Sequence, residues 1–156
     1  MRHLALFLLL ALGVARAADN PPNILPPDLQ HVLDAADSAE IYSLDPNSDP
    51  RKGPALHNVS VLGHTKLDAV ETRRAALAFN QAIKGWDKIL TYCFNPRHAL
   101  RIHANGHAYD YLLCYECHQI EVFVDDDQKA GLGAAGSPNV LNSILEAHHL
   151  RLARTN

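Results

Sequence analysis

The stretch LRIHANGHAYDYLL, Leu100 to Leu113, sets two runs of alternating apolar and polar residues on either side of Asn105-Gly106. Both central positions of a two-residue type I′ turn need φ > 0, and Asn-Gly supplies that at little steric cost. The pattern predicts a β-hairpin, and the turn length fixes its register. Ile102 then faces Tyr109, Arg101 faces Asp110, and Leu100 faces Tyr111, with the opposed charges of Arg101 and Asp110 agreeing with the pairing. One face of the hairpin carries Leu100, Ile102, Tyr109, Tyr111 and Leu113. It is the more apolar face and is expected to meet a helix.

Other elements gather around this hairpin. QIEVFV, Gln119 to Val124, alternates as a third strand, and AEIYSL, Ala39 to Leu44, reads as a short one. The turn-rich DPNSDPRKGP, Asp45 to Pro54, is a loop, and HNVSVLGHTKL after it reads as a half-buried strand. Asp68 and Glu71 form a D-x-x-E start to a helix whose expected apolar stripe is Val70, Leu77, Ala78 and Ala82, with Gly85 as a left-handed C-cap. A last helix is expected from an N-cap at Ser137 and Pro138 in its first turn, with Val140, Leu141, Ile144, Leu145 and Leu152 on its apolar face. DDDQKAGLGAAGS, Asp125 to Ser137, reads as a mobile loop. This order predicts an α+β domain: an antiparallel sheet of four to five strands packed on one face by two helices.

The amino terminus has the form of a secretory signal peptide over residues 1–17. A short basic start precedes the apolar run Leu4 to Leu12, and Ala15-Arg16-Ala17 offers small residues for cleavage after Ala17. The run is shorter than the roughly 20 residues that span a bilayer. Four prolines between Asp19 and Leu29 make residues 18–38 an extended leader, which places the single domain at 39–156. The expected location is periplasmic or secreted.

Cleavage removes Arg2 and Arg16, so twelve basic residues face 17 acidic ones and the net charge of the mature chain is −5. An acidic chain is not expected to bind nucleic acid, and nothing after the signal is apolar enough to span a membrane. No G-x-S-x-G, H-E-x-x-H or phosphate-binding glycine loop is present, so catalysis has no positive support in the sequence.

Chemistry is concentrated at three thiols. Cys93 stands four residues before Arg97, and Cys114 and Cys117 belong to the pentapeptide CYECH that ends at His118. A strand unbroken from His107 through Val124 would be unusually long. A reversal at Tyr115-Glu116 is therefore expected, which brings Cys114 and Cys117 to one side. Continuing the hairpin register sets Arg97 opposite Cys114 and carries Cys93 to the same end of the sheet.

Four readings of this cluster stay open. In an oxidising compartment a structural disulfide is the first, with one thiol left over. A zinc site built from Cys93, Cys114, Cys117 and either His98 or His118 is the second. The third is covalent haem c on Cys114, Cys117 and His118, since C-x-x-C-H is its attachment signature. A redox C-x-x-C pair, with Arg97 or His98 lowering a thiol pKa, is the fourth. No cofactor is the first expectation, zinc the second and haem the third.

CFNPRHALRI, Cys93 to Ile102, followed by an aromatic strand and CYEC, resembles a group of uncharacterised bacterial secreted proteins with a C-F-x-P-R-H … C-[FY]-x-C pattern. The segment VLGHTKL and the terminal helix are similar as well. The resemblance implies no activity. It draws attention to Cys93, Pro96, Arg97, His98, Cys114 and Cys117, and because the pattern does not require a His at position 118 it weakens the haem reading. The functional expectation is an exported, non-catalytic binding or accessory module for an unknown protein or small ligand. A monohaem electron carrier is the alternative.

Overall fold

The computed structural model describes residues 23–154 except 88 and 90. The signal peptide, its cleavage site and the start of the leader lie outside the described residues.

The domain is α+β, with a seven-stranded antiparallel sheet and three α-helices among the described residues. In chain order the elements are α1 (Pro27–Ala35), β1 (Ala39–Asp45), β2 (Ala55–Leu56), β3 (Val59–Leu67), α2 (Ala69–Lys84), β4 (His98–Ala104), β5 (His107–Cys114), β6 (Gln119–Val124), β7 (Asp127–Gly133) and α3 (Asn139–Ala147). The sheet order is β2-β3-β1-β4-β5-β6-β7. The sheet is thus larger than the four to five strands expected, and the helices number three rather than two.

The hairpin is as the turn dictates. Asn105 and Gly106 take φ of 53° and 79°, and Leu100, Arg101 and Ile102 pair with Tyr111, Asp110 and Tyr109. Its apolar face meets the helices: Leu100, Ile102, Tyr111 and Leu113 join Leu29, Leu33, Phe79, Ile83, Leu141 and Leu145 in one buried cluster. A large apolar side chain buried in this way contributes about 1.5–3 kcal/mol. A smaller cluster of Tyr42, Leu44, Leu56, Ala99 and Leu112 lies on the other face, flanked by Phe94 and Phe123.

Three expectations need correction. First, part of the stretch read as an extended leader holds α1. Its prolines, Pro26 and Pro27, sit at the N-cap and first helical position, where no N–H is lost from the helix. Leu29, Val32 and Leu33 then face the core, and the Tyr111 hydroxyl donates to the Leu29 carbonyl at 2.7 Å. Second, the expected loop at 125–137 contains β7, whose Gln119↔Gly133 and Ile120↔Leu132 pairs extend the sheet past β6. Tertiary pairing overrides the low strand propensity of its glycines. At Gly133 the missing side chain has a use, because a Cβ there would stand 2.3 Å from the Trp86 indole. Third, α2 is rotated from the expected stripe: Val70 and Leu77 are exposed, while Ala75, Ala76, Phe79 and Ile83 join Ala78 and Ala82 inside. Asp68 caps the helix by accepting from the Val70 and Glu71 amides, both at 2.8 Å, but Gly85 is right-handed, at φ −81°.

The sheet curls over its helix-free face. His57, in the β2–β3 turn, stacks on Phe123 of β6 with ring centroids 3.9 Å apart. Five inter-strand steps in a flat sheet would separate β2 from β6 by roughly 24 Å.

Candidate functional site

The three thiols meet at the end of the sheet where β5 stops. Tyr115 to His118 form the turn between β5 and β6. The Cys117 amide donates to Cys114 Sγ at 3.0 Å, and the Asn95 amide donates to Cys117 Sγ at 3.2 Å. The Cys93 and Cys114 thiols are the neighbours of the Cys117 thiol. Thr91 donates through its hydroxyl to the Cys117 carbonyl, and Gln119 donates to the Thr91 carbonyl, so the segment leading to Cys93 is tied to the turn. Cys114 and Cys117 are buried and Cys93 is half-buried, all three as free thiols. Burial, reinforced by the neighbouring thiols, pushes the Cys117 pKa well above its ordinary value. A protonated, enclosed thiol is a poor nucleophile, so the redox reading, which needs a lowered pKa, gains nothing here.

Of the two histidines considered as fourth ligands, His118 follows Cys117 in the same turn and His98 begins β4. His118 takes φ 54° at the end of the turn, and its Nδ1 lies 3.6 Å from Asp87 Oδ1. His98, first residue of β4, reaches the helix layer, where its Nε2 stands 2.7 Å from Asn142 Oδ1 on α3. Among the described residues no group of three or more His, Cys, Asp or Glu side chains is disposed to hold a metal ion. Haem does not fit the corner either. Both sulfurs that would bond the vinyl groups are enclosed, Cys114 at 1% exposure and Cys117 at 0%.

A cavity of about 300 Å³ opens on the helix side of the same sheet end. Its polar wall is Ser43, Arg97, His98 and Asn142; Tyr115, Pro138, Leu152 and Ala153 form the apolar one. Each wall residue is held by a specific constraint. Ser43 pairs with His98 across β1 and β4, opposite a bulge in β3, and its hydroxyl donates to the Arg151 carbonyl at 2.6 Å, which fixes the segment carrying Leu152. The Arg97 amide donates to the Leu113 carbonyl at 3.3 Å, and the Arg97 carbonyl accepts from the Leu44 amide at 3.0 Å. Pro96, buried just before, has no N–H to leave unmet. Arg97 Nη1 pairs with Glu116 Oε2 at 2.9 Å, joining the approach to β4 with the turn between the cysteines. Tyr115 lies edge-on to His98, centroids 6.2 Å apart.

Two atoms of this wall are unsatisfied. Arg97 Nε and His98 Nδ1 are buried and have no hydrogen-bond partner. Burial lowers the His98 pKa to about 4, with the Asn142 hydrogen bond opposing it and the charge on Arg97 assisting. His98 is therefore neutral at ordinary pH. Its Nε2–H donates to Asn142 Oδ1, which leaves the Nδ1 lone pair free. Buried polar atoms without partners are uncommon and cost stability, and both of these are enclosed beneath the cavity surface.

Cys93, Cys114 and Cys117 thus come together, with Arg97 linking their turn to the neighbouring cavity, while His98 reaches to Asn142 on α3. Sequence reasoning missed Ser43, Tyr115 and Asn142. The legible signal was Asn142, a polar residue among Val140, Leu141, Ile144 and Leu145 near the start of an apolar helix. It also missed His57, whose Nε2 meets the buried Asp110 at 2.7 Å. No helix among the described residues is long and apolar enough to cross a membrane. No family model, curated protein or solved structure matches the chain.

Proposed function

We propose that the protein is an exported, non-catalytic binding or accessory module that holds a small ligand in the sheet-end cavity, beside a thiol corner that braces the cavity wall. The observation carrying this reading is a cavity of about 300 Å³ in which the polar side chains of Ser43, Arg97, His98 and Asn142 stand against the apolar surface of Tyr115, Pro138, Leu152 and Ala153. Small-molecule sites combine an apolar lining with a few fixed polar groups in this way. Wall and corner share the segment Cys114 to Cys117: Tyr115 lines the cavity, Glu116 holds Arg97, and the cysteines flank both.

In an oxidising compartment the corner acts as a structural disulfide with Cys117 as one half, because Cys117 is the thiol that neighbours both others. Zinc would need a fourth donor. His98 is turned to Asn142 on α3 through Nε2, and among the described residues no group of three or more possible ligands is disposed to hold a metal ion.

The test is fragment binding followed by amide chemical shifts on protein recovered after export, with intact mass taken on the same sample. The expected results are shifts centred on His98, Tyr115 and Asn142, and a mass showing loss of residues 1–17. Fragments that shift only residues elsewhere overturn the cavity reading, and a retained leader overturns export.

A further inference from the structure

The three thiols of the corner differ in access. Cys114 and Cys117 are enclosed, and Cys93 alone is half-buried. Cys93 lies in a stretch, 91–97, with neither helix nor strand, and its neighbour Tyr92 is fully exposed. Cys114 instead ends β5, where it pairs with Gln119 of β6. An irregular surface stretch opens at less cost than a strand end held in a sheet. A reagent arriving from solution therefore meets Cys93 first.

The second sulfur is set by position. The Cys117 thiol neighbours that of Cys93, and the chain on both sides of Cys93 is fastened to Cys117. Thr91 donates to the Cys117 carbonyl, and the Asn95 amide donates to Cys117 Sγ at 3.2 Å. A hydrogen bond to sulfur favours the thiolate, the form that attacks a disulfide. Cys114 Sγ is occupied differently, accepting from the Cys117 amide at 3.0 Å. A Cys93–Cys117 bond closes a loop of about 25 residues and a Cys114–Cys117 bond one of about four, so the first restrains the unfolded chain more.

Resting on the structural-disulfide reading above, we propose that Cys93 is the entry site for thiol–disulfide exchange with a small disulfide from solution, that Cys117 resolves the adduct, and that Cys114 stays a thiol. The Cys93 thiolate attacks one sulfur of the small disulfide, forming a mixed disulfide and expelling one small thiolate, which takes up the proton Cys93 lost. The Cys117 thiolate then attacks Cys93 Sγ. The Cys93–Cys117 bond forms, and the second small thiolate leaves and takes up the proton from Cys117. Two protein thiols are oxidised and one disulfide is reduced to two thiols. Enclosure makes Cys117 a slow attacker, so the adduct at Cys93 lives long enough to trap.

The experiment treats the full purified chain, reduced and desalted, with oxidised glutathione, quenches by alkylation at intervals, and maps peptides by mass. One glutathione is expected first on Cys93, then a Cys93–Cys117 bridge, with Cys114 alkylated only after denaturation. In Cys117→Ser the adduct is expected to persist on Cys93. In Cys93→Ser glutathione uptake is expected to slow by at least about tenfold, since only enclosed thiols remain. If either variant lacks a dispersed amide spectrum, the wild-type time course decides. A first adduct on Cys114 or Cys117, or a Cys114–Cys117 end product, overturns the assignment and leaves Cys117 as half of the bridge. A bridge between Cys93 and Cys114, or three thiols that stay free, overturns both readings.

Discussion

His57 Nε2 lies 2.7 Å from Asp110 Oδ2, and the same carboxylate receives Arg101 Nε at 2.6 Å and Nη2 at 2.7 Å. Asp110 is fully buried, so its charge is tolerable only because it is paired on both oxygens. Arg101 is pushed above its ordinary pKa, chiefly by its hydrogen bonds to Asp110. The contact belongs to the curl of the sheet, since it holds the β2–β3 turn against β5. Asp110→Ala leaves Arg101 and His57 without their partner and is expected to destabilise the fold by about 3 kcal/mol. Urea unfolding checks it. A change below about 1 kcal/mol would mean that the network does not hold the curl.

His98 makes stability depend on pH. Its folded pKa of about 4 lies below the ordinary 6.5, so between those values the unfolded chain binds more protons than the folded one. Stability is therefore complete above about pH 6.5 and falls as pH drops toward 4. The shift corresponds to about 3 kcal/mol at the low end, as an order of magnitude. Other groups titrate in the same range, so the quantity to measure is the difference between wild type and His98→Gln in urea unfolding from pH 4 to 7. The wild type should lose more stability on acidification. Parallel curves would contradict the burial argument.

Cys117→Ser is expected to be the most damaging of the three single cysteine changes after oxidative folding. Cys117 neighbours both other thiols, so its loss should leave two free thiols where the wild type shows one. If the bridge runs to Cys93, the closed loop of about 25 residues contributes roughly 3 kcal/mol, and that stability is lost with it. Thiol titration in denaturant reads the count. Three free thiols in the exported wild type would remove the disulfide and leave the corner as buried thiols only.

Gly133→Val should destabilise the junction of β7 with the end of α2. A Cβ there meets the Trp86 ring at 2.3 Å, and the Gly133 amide donates to Asn23 Oδ1 at 2.7 Å while its carbonyl accepts from Asn23 Nδ2 at 2.9 Å. Displacing the indole is expected to cost about 1–3 kcal/mol and to change the tryptophan fluorescence maximum. An unshifted spectrum with unchanged stability would mean that Trp86 does not rest on this glycine.

What could be read from the chain follows from how local each cause is. The hairpin at Asn105-Gly106 is set by two residues and came out in register, and the turn at Tyr115-Glu116 followed from strand length. The Asp68 cap is equally local. By contrast, α1 was hidden because Pro26 and Pro27 break a helix interior but suit its start, and only the contact with Tyr111 shows which applies. β7 was hidden because Gly131 and Gly133 weaken its pattern while pairing with β6 supplies the stability. The gathering of the sulfurs was legible by extending the hairpin ladder. The separation of His98 from them was not, because it depends on Asn142, 44 residues away. The cavity draws on β1, β4, the turn after β5, α3 and the segment after it, which no local window contains.

The most direct test of the account is the protonation state of His98 itself, read by ¹⁵N imidazole NMR over pH 3 to 8. The account predicts a neutral ring at pH 7 with the proton on Nε2, an Nδ1 that behaves as a bare acceptor, and an apparent pKa of about 4. A proton on Nδ1 at neutral pH, or titration near 6.5, would contradict it. His98 would then not be enclosed beneath the sheet end as the structure has it.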